Sequence, residues 1–185
     1  MSSQDWDFER ALTAARAGSE WAWREIYAEL APLILRYLRG RAAIEPEDLL
    51  GDVFVQVVGK IDQFDGGADD FRAWVFTIAR HRLIDTARSR ARRPVDPVSD
   101  EVLVAAAGSA DAEEQALSSL AVAEARKAIA QLSPDQQDVV LLRLVAGLSI
   151  KEVAAALGKN PGAIKALQVR AVAALRRNLP EGVSL

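Results

Sequence analysis

The 185-residue sequence contains no cysteine and a single histidine, His81. Without thiols there is no disulfide framework and no thiolate metal site. One imidazole leaves almost no material for a histidine-built metal centre or a nucleophile–histidine dyad, so neither a metal, a cofactor nor a catalytic residue is expected. Aromatics make up only 6% of the chain. No apolar run approaches the roughly 20 residues a membrane helix requires, and membrane insertion is not expected. A strand pattern of any length, an internal repeat and a glycine-rich phosphate loop are also missing. The opening residues, MSSQDWDFER, are acidic and polar, unlike a secretion signal. These absences leave an all-helical protein, expected in the cytoplasm, that works by binding.

Half of the residues are hydrophobic, enough for a core, and the formal net charge is −3. The distribution of charge says more than its sum. Arg80, Arg82, Arg88, Arg90, Arg92 and Arg93 form one basic block. From Arg143 to Arg177 the sole acid is Glu152, against Arg143, Lys151, Lys159, Lys165, Arg170, Arg176 and Arg177. Between the two blocks lie Asp96, Asp100, Glu101, Asp111, Glu113 and Glu114. A basic–acidic–basic layout describes two modules that meet an anion and a connector that does not.

The second basic block has an internal design. In SIKEVAAALGKNPGAIKALQVRAVAALRR, Leu148, Val153, Ala154 and Leu157 share one helical face. Gly158 stands just past that run, where a left-handed residue ends a helix without steric cost. Asn160 is placed to cap a second helix and Pro161 to occupy its first position. Ile164, Leu167 and Ala171 point that helix inward, leaving Lys165, Gln168 and Arg170 to face elsewhere. The pattern is a helix-turn-helix with a basic second helix, and basic residues gathered on such a module are what phosphate contact requires. An ordinary helical hairpin is the alternative on pattern alone.

Elsewhere, residues from about Phe8 to Arg39 read as helices, broken at Gly18-Ser19, with Ser19 a candidate cap and Pro32 near the start of a further turn. PEDLLGDVFVQVVGKI is a helix opened by Pro46 with Glu47 and Asp48 in its first turn. Its apolar stripe of Leu49, Leu50, Val53, Phe54, Val57, Val58 and Ile61 is wider than one packing face needs. Deep burial and a second face for a partner explain it equally well. Asp62 to Asp70 reads as a loop centred on Gly66-Gly67. FRAWVFTIARHRLIDTARSRARR follows, with Phe71, Trp74, Val75, Ile78, Leu83 and Ile84 as core and an outer face increasingly rich in arginine, a residue suited to phosphate and to base stacking. The pattern fails from Pro94 to about Asp111, read as a flexible acidic linker. Helix resumes from Ala112 to Leu132, and Ser133-Pro134 starts another that ends at Gly147. The acid pairs Asp69-Asp70 and Glu113-Glu114 have no nucleophile or base beside them, so an enzyme carries little weight. A stand-alone helix-turn-helix regulator is the other competing reading.

On these residues the chain resembles sigma factors of the extracytoplasmic-function (ECF) group, in the sigma-70 family, over nearly its whole length. EDLLGDVFVQVV is similar to the family's polymerase-clamp-binding helix, FRAWVFTIARHRLIDTAR to its promoter-melting and −10 segment, and AIAQLSPDQQDVVLLRLVAGLSIKEVAAALG to the entry into its −35-reading domain. The resemblance implies two small helical domains joined by a flexible acidic linker: a sigma-2-like domain over 1–93, the linker over 94–111 and a sigma-4-like domain over 112–185. It implies a specificity subunit without catalysis that binds core RNA polymerase, directs initiation at promoters and helps melt the −10 region. Asp48, Leu49, Asp52, Val53, Phe54 and Val57 would dock on the β′ clamp. Phe64, Arg72, Trp74, Arg80, His81, Arg82, Asp85 and Arg88 would engage −10 DNA. Lys159, Asn160, Gly162, Lys165, Ala166, Gln168, Val169 and Arg170 would engage −35 DNA, with the domain's other face on the β flap. An anti-sigma factor is an implied partner. Two departures stand out: His81 replaces the usual asparagine of the base pocket, and Ala166, Leu167 and Val172 replace polar or basic residues of the recognition helix, shifting −35 readout toward phosphate contact, shape and tethering.

Overall fold

The computed structural model describes residues 8–92 and 122–178. The connector read at 94–111, the start of the helix read from Ala112 and the tail PEGVSL lie outside them. The described residues are helical, with no strand among them.

Four helices form the first block. In α1 (Phe8–Arg16), Phe8, Ala11, Leu12 and Ala15 are buried at helical spacing. Gly18, at φ 78°, makes the turn into α2 (Glu20–Gly40). Two sequence expectations fail here. Ser19 occupies the N-cap position but its side chain makes no capping hydrogen bond, and Pro32 lies inside α2 rather than starting a new turn. The apolar face continues through Leu30, Ala31, Ile34, Tyr37 and Leu38 on both sides of the proline. Packing of that face outweighs the roughly 3 kcal/mol that an interior proline costs. After α3 (Pro46–Lys60) and a 3-10 turn (Ile61–Gln63), a short loop leads into α4 (Ala68–Ala91). Asp69 and Asp70 sit in the first turn of α4, where the helix dipole favours them, and Asp70 Oδ2 accepts from Gly67 N at 3.4 Å. That pair is accounted for structurally.

The second block comprises α5 (122–130), α6 (Pro134–Val140), α7 (Ile150–Leu157) and α8 (Pro161–Asn178). Ser133 caps α6 through Gln136 N and its partner Gln136 reciprocates. Past Val140 the helix widens into a π turn over Leu141–Val145, closed by Ala146 N donating to Leu141 O at 3.0 Å. Ala128, Leu132, Val140, Ala171 and Leu175 form a small cluster among α5, α6 and α8.

The two blocks are packed together. One continuous apolar cluster runs from Phe8 to Ile164, joining Tyr37, Phe76 and Ala79 of the first block to Val139, Leu141, Leu142 and Val153 of the second. Helix α4 lies along α7, and the end of α2 lies on the π turn. Gly40 permits that approach: a Cβ there would stand 2.5 Å from Leu141 Cδ2. At the centre of the junction is Asp138, 1% exposed. Tyr37 Oη donates to its Oδ1 at 2.9 Å and Arg80 Nε to its Oδ2 at 2.8 Å. Arg41 Nε stands 3.1 Å from Oδ1, and Arg41 Nη1 donates to the neighbouring Gln137 Oε1. Burial, and then the adjacent Asp138 charge, hold the Tyr37 phenol well above its ordinary pKa, so it remains a neutral donor.

Removing one partner from a buried ion pair costs more than never having built it, because the other charge stays buried alone. Asp138→Ala is therefore expected to lower stability by about 3 kcal/mol, read as an earlier urea midpoint. Tyr37→Phe, which loses one hydrogen bond to a charged group, is expected to cost about 2 kcal/mol. Equal midpoints for Asp138→Ala and wild type would show that this junction does not hold the blocks.

Candidate nucleic-acid and polymerase interfaces

The six residues expected at a polymerase interface divide by burial. Leu49, Val53, Phe54 and Val57 are buried; Phe54 stacks against Tyr27 with ring centroids 4.6 Å apart. Their side chains belong to the bundle interior and, as packed here, leave little surface for a partner, unlike the open docking stripe expected from the sequence. Asp48 and Asp52 are exposed. Beside them, at helical spacing, Val55 is 71% and Val58 51% exposed. The wide apolar stripe is thus both things at once: a core face, and a smaller outer face edged by carboxylates. Val55 was missed in the sequence because it interrupts the 3.6 period of the core residues; that interruption was itself the signal.

The −10 candidates also divide. Phe64 is buried and belongs to an aromatic group with Phe71 and Trp74, each centroid 5.2 Å from it, so in this arrangement it is part of the core. Arg16 ties this turn down, its Nη2 donating to Phe64 O. Trp74 is half-buried on the same group. Arg72 and Arg80 face the second block. Arg72 Nη2 donates to Ala146 O at 3.2 Å, with its Nε 3.7 Å from Glu152 Oε1, and Arg80 is bound by Asp138. Between them Thr77 Oγ1 lies 3.4 Å from Ala156 O. His81, Asp85 and Arg88 are exposed and Arg82 is half-buried. The −10 candidates therefore do not form one open surface here: α4 turns one edge to solvent and the other to the second block.

The helix-turn-helix is built as its residues predict. Ser149 and Glu152 cap α7 reciprocally, Ser149 N donating to Glu152 Oε2 at 2.6 Å and Glu152 N to Ser149 Oγ at 3.2 Å. Gly158 closes α7 at φ 61°, ψ 35°. Asn160 Oδ1 accepts from Ala163 N at 2.8 Å, capping α8. Ile164, Ala171 and Leu175 are buried and Leu167 packs against the core. This fixes the rotation of α8. Gly162, Lys165, Ala166, Val169 and Arg170 are exposed and Gln168 is half-buried. Lys165, Gln168, Val169, Val172, Ala173 and Arg176 line a shallow hollow along one flank of α8. Glu152, the one acid of the segment, is 6% exposed, committed to its cap and to Arg72. The outer face of α8 is consequently cationic without a competing carboxylate of its own segment. Lys159 is the exception, paired with Asp135 at 3.0 Å.

Among the described residues no group of histidine, cysteine, aspartate or glutamate side chains is arranged to hold a metal ion, and no helix is long and apolar enough to cross a membrane.

The Sigma-70 region 2 model matches residues 26–93 and the Sigma-70 region 4 model residues 123–175. The ECF RNA polymerase sigma factor ShbA of Streptomyces griseus is 34% identical over 168 residues, covering 86% of this chain and 88% of that protein. SigL of Mycobacterium tuberculosis is 31% identical over 173 residues, covering 92% and 96%. BldN of Streptomyces coelicolor is 37% identical over 169 residues, which are 90% of this chain; the matched stretch spans 64% of BldN's length. Among solved structures, CnrH in complex with the cytosolic domain of CnrY superimposes with a TM-score of 0.68 at 23% identity, covering 90% of this chain and 93% of that one, a likeness of fold. The sigma factor RpoE bound to the anti-sigma factor NepR, from Bartonella quintana, superimposes with a TM-score of 0.66 at 27% identity, covering 86% and 97%.

The two faces of α3 are expected to separate on mutation. Val53→Asp places a charge in the bundle and should abolish cooperative thermal unfolding, whereas Val55→Asp should change stability by no more than about 0.5 kcal/mol, as surface changes do. Comparable damage from both would mean that the outer face is not open.

Proposed function

Because the chain belongs to the ECF group of sigma-70 family sigma factors, we propose that it delivers core RNA polymerase to particular promoters by holding the polymerase with one block and reading DNA with both. It supplies no catalytic step, since nucleotide addition belongs to the core enzyme. The observation that carries the reading is the outer face of α8: Lys165 and Arg170 exposed on the second helix of a helix-turn-helix whose one acid is turned away. The outer face of α8 enters the −35 major groove with Lys165 and Arg170 on its flanks, while Lys159, the Asn160 cap and Gly162 bring the start of α8 against the backbone. On α3, Asp48, Asp52, Val55 and Val58 dock on the polymerase β′ clamp, an apolar contact with carboxylates at its margin. The β flap takes another face of the second block. On α4, His81, Arg82, Asp85 and Arg88 meet the −10 strand. Arg72, Trp74 and Arg80 join them once the second block has moved off. Reading an unstacked base costs a few kcal/mol, and polymerase contacts elsewhere offset it. The cell compartment is that of the polymerase and the promoter, the cytoplasm.

In this reading the packed arrangement is the resting one. The carboxylates of Asp138 and Glu152 occupy Arg80 and Arg72 where phosphates would otherwise bind. An anti-sigma factor that favours the packed arrangement would hold the protein inactive. The solved complex of RpoE with NepR supports such a partner.

The purified chain should bind promoter DNA weakly, and core polymerase should convert it to specific run-off transcription. Asp52→Arg and Val55→Asp should abolish co-elution with core polymerase while the proteins remain folded. Arg170→Ala should reduce −35-dependent initiation roughly tenfold. Tight, specific operator binding by the isolated chain at physiological salt would instead favour a stand-alone regulator.

The absence of native cysteine permits a direct test of separation. A disulfide between Thr77→Cys and Ala156→Cys should block run-off transcription when oxidised and release it on adding dithiothreitol. Full activity of the oxidised protein would show that the blocks need not part.

A further inference from the structure

The outer face of α8 has a centre and two flanks, and their chemistry differs. With about 100° between successive residues, Gly162, Ala166, Val169 and Ala173 fall opposite the buried Ile164, Ala171 and Leu175. All four are exposed, Val169 to 70%. Lys165 and Arg176 lie to one side of this line, Arg170 and Arg177 to the other. The residues that would point most directly at base edges therefore carry no hydrogen-bonding group, while the cations flank them at a position suited to the two phosphate walls of a groove. Of the neutral amides nearby, the Asn160 oxygen is used in the cap and Gln168 sits half-buried toward the core side.

A side chain of this kind can distinguish base pairs by one feature only. In the major groove each base pair shows a distinct set of donors and acceptors, and thymine alone among the four bases adds an apolar group, its 5-methyl. Val169 is the one large apolar side chain on the line, and the small Ala166 and Ala173 on either side let it approach. We infer that Val169 is a specificity-determining residue that selects thymine in the −35 element by packing on its methyl group. This rests on the −35 reading given above. The flanking cations supply affinity and register, and Val169 supplies base choice.

Deoxyuridine provides the test, because it keeps every hydrogen-bonding group of thymine and lacks only the methyl. Holoenzyme assembled from core polymerase and the full chain is assayed by run-off transcription on a cognate promoter in which each −35 thymine, on either strand, is replaced singly. Replacement at one position, or two adjacent ones, should reduce initiation about fourfold, the loss of one buried methyl at about 0.8 kcal/mol. Val169→Ala holoenzyme should show no difference between thymine and deoxyuridine at that position, and a promoter library selected with it should relax there. Because Val169 is exposed, the variant should unfold at the wild-type urea concentration, which separates loss of reading from loss of fold. Wild-type indifference to every deoxyuridine, or an unchanged thymine preference in Val169→Ala, overturns the inference. If Lys165→Ala and Arg170→Ala still lower −35-dependent initiation in that case, the −35 reading stands and only the thymine contact falls. If they too have no effect, the groove assignment of α8 falls with it.

Discussion

A single carboxylate holds the packed arrangement together. Asp138 lies in the middle of an apolar junction, accepts hydrogen bonds from the Tyr37 phenol and the Arg80 guanidinium, and has the Arg41 charge 3.1 Å away. A buried charge is tolerated only with partners of this kind. Its partners come from α2 and α4, roughly a hundred positions away in one case, so satisfying it fixes where the second block sits on the first. The apolar contacts around it, Gly40 against Leu141 and α4 against α7, supply area but little direction. Apolar packing is non-directional; a charge that needs its hydrogen bonds is not.

The consequence for function is electrostatic. Arg72 and Arg80 both face carboxylates of the second block, Arg80 hydrogen-bonded to Asp138 and Arg72 3.7 Å from Glu152. Lys159 is likewise held by Asp135. Carboxylate and phosphate make similar demands on a guanidinium. The exposed cations of α8, and His81 and Arg88 on α4, are left free of such pairing by their position on the outer surfaces.

Much of this was legible beforehand, for reasons that can be traced. The helix-turn-helix follows from local chemistry: a left-handed glycine at 158 and an Asn160 cap before Pro161 were read from the sequence, and the structure adds a reciprocal cap at Ser149 and Glu152. Each acts within a few residues, so each is written in the order of the chain. Ser19 and Pro32 show where local chemistry is overruled, a cap position left unused and a proline carried inside a helix by the packing of its apolar face. The exposed side of α3 was only half legible. An apolar stripe reveals that a helix is buried, but which of Val53 and Val55 points inward depends on what lies across from it.

By itself, the order of residues determined the helical class, the placement of caps and turns, the separation into two basic blocks and the family likeness, because these depend on periodicity, on neighbouring residues and on motif. The tertiary structure alone decided which apolar residues of α3 remain outside, that Phe64 is core, and that Asp138 and Glu152 close on arginines far along the chain. These are contacts between residues distant in sequence, and their partners are chosen by the shape and burial of the assembled helices, which no local pattern encodes.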